Sequence, residues 1–328
     1  MATAWDVPGE WRSLRRGGPG PFITWETARR PDGVVVEFSS RRQRKGLGPR
    51  QVHPAAAGPA PRGPVPAAPV PAGPVPAREQ ATDSDPGRAS ASHPRRHARG
   101  VRFAPRLLGW WVAILFMIGS ACFAGAALPG LSSIAPDAVL AVVFFIGSLF
   151  FTSAAYLQFV QSINAGGSAS APPRRRLLAW QPGRIDWWAS GVQLVGTLWF
   201  NINTANAMRV GLTTRQQNLR IWTPDMIGSV CFLVASWLAV EEVCHVRWCV
   251  RRGDVPWSIS AINLLGSIFF MLAAIAAFVR PATGDLLGAN LANGGTFLGA
   301  ICFFWGARLL LVELADSGTP HPAQVAVG

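Results

Sequence analysis

Six apolar runs constrain this chain of 328 residues more than any other feature. Each run is close to the roughly 20 residues that a helix needs to cross a bilayer. They cover residues 107–128, 138–160, 187–208, 226–246, 255–279 and 290–312. Residues 1–106 contain no such run. The pattern predicts an all-α integral membrane protein with six transmembrane helices inside a domain at 107–314.

One short phrase recurs in every run, in the forms IGSACF, IGSLFF, VGTLWF, IGSVCF, LGSIFF and LGAICF. Phenylalanine stands four positions after the glycine in every copy, and a small residue usually stands seven positions after it. These positions share one face of a helix with 3.6 residues per turn. Small residues let helix backbones approach closely in lipid. We therefore expect the phrase to mark a helix-packing face.

The six copies alternate between two types. The odd runs carry tryptophan nine positions before the glycine, and the even runs carry Gln161, Glu242 and Glu313 fourteen positions after it. Internal repetition is common in membrane folds. The alternation predicts one helical hairpin repeated three times in parallel, over 107–160, 187–246 and 255–312.

The IGSACF-type phrase on paired apolar helices resembles the YrhK-like hairpin of small bacterial membrane proteins. The resemblance covers residues 107–312 and leaves the N-terminal region outside. It implies a multi-pass helical fold of bacterial origin. It implies no catalytic or cofactor-binding residues.

The N-terminal region is basic and holds most of the net charge of +13. Residues 1–45 are expected to form a largely disordered tail, with a short β-hairpin at 22–40 around the turn-forming Pro31-Asp32-Gly33. Residues 46–106 are rich in Pro, Ala and Gly and predict a disordered linker that ends in a basic juxtamembrane segment. Residues 315–328 predict a disordered C-terminal tail.

Arginines in the short loops indicate the orientation. With the N-terminus inside, the inner loops carry seven arginines and the outer loops four. Cytoplasmic loops are enriched in Lys and Arg. Both termini are therefore predicted to be cytoplasmic, in a plasma-membrane protein. The first run lies far from the start of the chain and is expected to be an uncleaved span.

The third run is interrupted by amides, which make it the most polar of the six. Gln193, Asn201, Asn203 and Asn206 lie within it. Intramembrane polar groups mark functional sites by default. They also join helices by hydrogen bonds. Both interpretations stay open for these side chains.

A second polar group lies at the ends of the fourth and sixth runs. Glu241, Glu242 and His245 end the fourth run, and Arg308 lies about a turn inside the sixth. Glu242 and His245 have a metal-ligand spacing, with Cys244 and Cys249 nearby, but a di-iron bundle needs a second such motif and two more glutamates. Capping of the helix end is the expected role. Arg308 is expected to reach the interface or to pair with Glu241 or Glu242.

The five cysteines are expected to be small packing residues, because their number is odd and no disulfide framework is visible. Neither a phosphate loop, a nucleotide fingerprint nor a nucleophile motif occurs. The sequence thus predicts no enzyme and no cofactor.

The expected function is that of an accessory or scaffold protein whose tail recruits a membrane or cytoplasmic partner. The alternative is a small-solute or ion transporter, with the third run and Arg308 lining its path. The basic tail is expected to contact anionic lipid headgroups of the bilayer rather than nucleic acid.

Overall fold

The computed structural model describes residues 10–45, 49–52, 107–131, 134–165 and 176–317. The protein is mostly helical, with a small sheet at its N-terminal end. Of the linker predicted at 46–106 and the tail predicted at 315–328, residues 46–48, 53–106 and 318–328 lie outside the described residues, and residues 315–317 belong to the last helix.

Four antiparallel strands form the N-terminal sheet in the order β1-β2-β3-β4. They are β1 (Arg12–Gly17), β2 (Trp25–Arg29), β3 (Val35–Ser39) and β4 (Arg50–Val52). In the turn between β2 and β3, the Asp32 side chain accepts a hydrogen bond from the Val34 amide at 3.0 Å. Gly33 adopts a φ of +85°, which glycine tolerates without a steric penalty.

This sheet corrects the expectation of a largely disordered basic tail. Its core consists of Ala28, Val36 and Phe38, with Trp11 and Val34 packed against them. An isolated two-stranded hairpin is marginally stable, and β1 and β4 supply the additional strands. β4 lies within the segment predicted as linker. Its three residues pair with β3, and the local composition does not reveal this pairing.

The helices follow in chain order. They are α1 (Ser40–Arg44), α2 (Leu108–Ala126), α3 (Asp137–Ile163), α4 (Ile185–Ala207), α5 (Thr214–Gln217), α6 (Thr223–Cys244), α7 (Val255–Ala276) and α8 (Ala289–Ser317). A π-helical turn at Asn218–Trp222 joins α5 to α6 without interruption.

Among the described residues, five helices are long and apolar enough to cross a membrane. They are Leu108–Ala126, Asp137–Ile163, Thr214–Cys244, Val255–Ala276 and Ala289–Ala315. The third predicted span coincides with α4, which has sufficient length but is more polar and is not among the five. Its amides lower its mean hydropathy.

The six long helices form a closed ring. Each packs against the next in the order α2, α3, α4, α6, α7 and α8, and α8 packs back against α2. One end of the ring is formed by the first turns of α2, α4 and α7 and the last turns of α3, α6 and α8. We call it the docking end, because the N-terminal sheet lies there.

The repeated glycines lie where paired helices approach most closely. A Cβ on Gly119 would lie 2.9 Å from the Phe151 ring, and one on Gly147 would lie 2.8 Å from the Phe123 ring. The same reciprocal contact joins α4 to α6 and α7 to α8. Cβ atoms do not approach this closely in proteins, so glycine is required at these contacts.

All six repeated phenylalanines point into the ring and are buried. We call them the phenylalanine cluster: Phe123, Phe151, Phe200, Phe232, Phe270 and Phe303. Neighbouring rings are separated by 5.1 to 6.4 Å between centroids. Most of the pairs are tilted or edge-to-face, as aromatic quadrupoles prefer.

Candidate functional site

The short helix α1 joins the N-terminal sheet to the docking end of the ring. It starts directly after β3, so the sheet fixes its position. Arg41, Arg44 and Lys45 project from this helix and from its C-cap towards the ring of long helices. In the sequence these cations belong to the basic tail at 1–45, for which no site was predicted.

Glu313 near the end of α8 receives two of these cations. Arg41 donates from Nε to Oε1 at 3.0 Å and from Nη2 to Oε2 at 2.9 Å. Lys45 Nζ pairs with Oε1 of the same carboxylate. Bidentate guanidinium–carboxylate pairs are both strong and directional. Glu313 therefore fixes the orientation of α1 as well as its position.

Glu242 in the last turn of α6 receives the remaining contacts of α1. It is 1% exposed, and its Oε1 accepts a 2.8 Å hydrogen bond from Ser40 Oγ. Arg44 Nη2 donates to its Oε2 at 3.1 Å. A buried carboxylate needs such partners, since an unpaired buried charge is strongly destabilising. The N-terminal domain supplies them.

His245 forms a third contact between the bundle and the sheet. It ends α6 in the left-handed conformation with a φ of 60°, and its Nδ1 lies 2.8 Å from Oγ1 of Thr24. Burial lowers the pKa of His245, and the nearby Arg251 acts in the same direction. His245 thus caps its helix, as expected, and also contacts the N-terminal domain.

Cys244 and Cys249 are joined by a disulfide that closes the turn after α6. The expectation that all five cysteines are packing residues is wrong for this pair. The spacing was visible in the sequence, but the turn that brings the two residues together was not. Cys122, Cys231 and Cys302 are free, and their Cβ atoms pack against glycines of neighbouring helices.

Another ion pair lies at the start of α4. Arg184 Nη2 donates to Asp186 Oδ2 at 2.6 Å, and the Asp186 side chain is fully buried. Arg184 also donates to the Ala165 carbonyl at 2.8 Å. This pair holds the loop before α4 against the end of α3. Arg184 is one of the seven arginines in the loops predicted to face the cytoplasm.

A central cavity of about 90 Å³ lies inside the docking end. Arg41, Arg44 and Lys45 line it from the α1 side. Four amide side chains line its wall: Gln158, Gln161, Gln193 and Asn263. Phe116 and Phe303 line its inner part, where the phenylalanine cluster begins. The cavity is therefore polar at one end and aromatic at the other.

Two cations beside the cavity have shifted pKa values. Burial opposes the charge on Arg41, yet the pairing with Glu313 raises its pKa above the ordinary value. Burial lowers the pKa of Lys45 from 10.5 to about 7, with the neighbouring Arg41 acting in the same direction. The attraction of Glu313 only partly offsets this decrease.

The polar candidates of the third run have different surroundings. Gln193 lines the central cavity and accepts a 3.2 Å hydrogen bond from Gln158. Asn201 donates to Oγ1 of Thr152 on α3 at 2.8 Å, and Asn203 bonds the side chain of Asp225. Asn201 and Asn203 therefore join neighbouring helices, away from the cavity.

Glu241 and Arg308 lie apart from this site. Glu241 accepts a 3.0 Å hydrogen bond from Trp237 Nε1 on an exposed face. Arg308 lies 5.3 Å from the centre of the Trp305 ring, and Trp305 is itself exposed. Among the described ion pairs, Arg308 joins neither Glu241 nor Glu242, and Glu242 binds Ser40 and Arg44 instead.

In the described part of the chain, no group of three or more His, Cys, Asp or Glu side chains is arranged to hold a metal ion. Glu242 and His245 instead bind different residues of the N-terminal domain.

No protein-family profile, curated protein or solved structure matches this chain. The resemblance to YrhK-like hairpins therefore stays a prediction.

Proposed function

We propose that all six long helices span the membrane as three copies of one hairpin. The closed ring supports this proposal, because α4 lies between two apolar helices and completes the ring. The reciprocal glycine–phenylalanine contact supports the repeat, since it recurs within the pairs α2–α3, α4–α6 and α7–α8. Close backbone approach is what stabilises helix pairs in lipid.

We propose that the protein is a non-enzymatic accessory protein whose bundle holds its own N-terminal domain and releases it to a partner. The observation that carries this proposal is the pairing of α1 with Glu242 and Glu313. These two acids lie at the same repeat position, and Gln161 occupies it in the first hairpin. The residues that distinguish the three copies are thus the ones that bind the domain.

The alternative is a transporter or channel in which α1 acts as a plug. The phenylalanine cluster argues against this alternative, because it fills the ring below the cavity with buried aromatic side chains. Arg308, proposed for the path of such a transporter, instead packs on the exposed Trp305. Asn201 bonds a neighbouring helix.

The bilayer is the second proposed partner of the N-terminal domain. The edge strand β1 exposes Arg12, Arg15 and Arg16 to solvent. Each basic side chain near an anionic membrane contributes about 1 kcal/mol of attraction. We propose that β1 contacts anionic lipid headgroups, and that nucleic acid is not a ligand.

We propose a plasma-membrane location with both termini in the cytoplasm. Seven of the eleven arginines in the short loops support this orientation, since they fall at the docking end. The Cys244–Cys249 bond points the other way, because disulfides persist mainly in oxidising compartments. We give the arginines more weight, as they are spread over two separate loops.

A liposome flux assay separates the two functions. Uptake of radiolabelled chloride and rubidium is measured for the wild type and for the double variant Glu242→Gln, Glu313→Gln, which releases α1. An accessory protein gives no uptake above that of empty vesicles in either form. Uptake by the double variant alone would identify a channel that α1 closes. Uptake by the wild type would identify an open channel or a transporter.

A further inference from the structure

We propose that the central cavity binds one small monovalent anion between α1 and the phenylalanine cluster. The inference rests on the docking of α1 proposed above, since α1 supplies the cationic wall of the site. It adds a ligand class, which the docking alone does not define.

The charges around the cavity favour an anion. Arg41, Arg44 and Lys45 face two carboxylates, Glu242 and Glu313. Below the pKa of about 7 at Lys45, all five side chains are ionised and one positive charge is left over. The neighbouring Arg184–Asp186 pair is neutral as a unit. Low-dielectric surroundings strengthen the attraction of this excess charge for an anion.

The amides on the cavity wall supply hydrogen-bond donors. Gln193 accepts from Gln158 through its Oε1, which leaves its own amide nitrogen to donate. Gln161 and Asn263 bring further amides from α3 and α7. Each of the three hairpins thus reaches the cavity. A site with both a net charge and neutral donors replaces the hydration shell of an anion.

The volume restricts the size of the ligand. A cavity of about 90 Å³ has room for several water molecules or one small ion. Phe116 and Phe303 line it on the inner side, and residues of α1 line it on the other. Chloride, nitrate and formate match this charge and are small enough for this space, and the bulkier gluconate serves as the comparison anion. A cation would lie against three cationic side chains.

The test uses the full-length protein in detergent, at constant ionic strength and at a pH below the Lys45 pKa of about 7, with sodium gluconate as the reference salt. Chloride, nitrate and formate are titrated while the melting temperature is followed, and radiolabelled chloride gives the binding stoichiometry. We expect saturable binding of one ion per chain. We expect Gln193→Leu to weaken it about tenfold, and Lys45→Met to weaken it as well.

Asn206→Leu is the matched control, because this amide lies on the same helix and bonds only its own backbone at Ile202. It should bind chloride like the wild type. Absence of saturable binding, or equal weakening by Asn206→Leu, overturns the anion site. Hydrogen exchange of β2 and β3 in gluconate separates the two proposals. If these strands stay protected while no anion binds, only the anion site fails; if they exchange freely, the docking itself fails.

Discussion

Ser40 of the N-terminal domain donates a 2.8 Å hydrogen bond to Glu242, which lies 202 positions later in the chain. Glu242 would be a buried, uncompensated charge without this hydroxyl and the guanidinium of Arg44. The helix bundle is therefore electrostatically complete only when the sheet domain is docked. This dependence couples the two parts of the molecule.

Glu242→Gln should loosen the docked domain. The substitution keeps the shape of the side chain but removes its charge, and it leaves Arg44 without a carboxylate. Breaking one side of a buried ion pair destabilises by about 3 kcal/mol. Hydrogen exchange of the β2 and β3 amides should accelerate accordingly. Glu241→Gln, one position earlier and bonded to Trp237, is the control and should leave exchange unchanged.

Gly299→Ala should destabilise the bundle, because the added Cβ would lie 2.7 Å from the Phe270 ring and 3.0 Å from the Gly266 carbonyl. Overpacking of this kind typically destabilises by 1–3 kcal/mol, so roughly 2 kcal/mol is expected here. The melting temperature in detergent measures the effect. Gly294→Ala on the same helix is the control, since nothing lies within 4 Å of its added carbon. Equal melting temperatures for the two variants would contradict the close packing of α7 and α8.

Lys45 should titrate near pH 7. It is the only lysine of the chain, so biosynthetic labelling with ¹³C-lysine gives a single side-chain NMR signal. Burial, opposed in part by Glu313, lowers its pKa from 10.5 to about 7. Between pH 7 and pH 10.5, Lys45 is protonated when α1 is undocked and solvated, and largely unprotonated when α1 is docked. Docking should therefore become more stable as the pH rises through this window, with the full penalty of the buried charge present below it.

A titration midpoint near 10.5 would place Lys45 in solvent and contradict the docked position of α1. Glu313→Gln removes the carboxylate that favours the charged form, so its midpoint should lie below that of the wild type when hydrogen exchange of β2 and β3 shows that α1 stays docked.

Cysteine labelling tests the orientation. In a variant whose five cysteines are replaced by serine, Arg176→Cys lies at the docking end and is exposed. Val210→Cys lies at the opposite end and is 95% exposed. An impermeant thiol reagent should label position 210 in intact cells, and position 176 only after permeabilisation. The reverse pattern would place the docking end outside, where the Cys244–Cys249 bond is chemically stable.

The sequence predicted much of the helical part of the fold because its signals are local. Apolar runs and the repeated glycine and phenylalanine are properties of single helices. The docking of α1 could not be predicted in this way, since Ser40 and Glu242 are distant in sequence. The one signal available was that two acids, Glu242 and Glu313, recur at the same repeat position.

The site residues were predicted unevenly for the same reason. Glu242 and His245 stood out as polar side chains at a helix end, but their partners lie on the sheet domain. The sequence left two roles open for Asn201, a functional site or a hydrogen bond between helices. The rotation of α4 in the ring decides between them, because it brings Asn201 against Thr152.

The exchange of charges between Arg41 and Glu313 tests the docking most directly. The variants are Arg41→Glu, Glu313→Arg and the two combined, and the measurement is hydrogen exchange of the β2 and β3 amides in the full-length protein. Each single reversal places like charges in contact and should accelerate exchange in both strands. The combined variant restores an opposite pair and should recover most of the protection. Single variants that exchange like the wild type, or a combined variant no better protected than either single one, would contradict the docking of the N-terminal domain through α1.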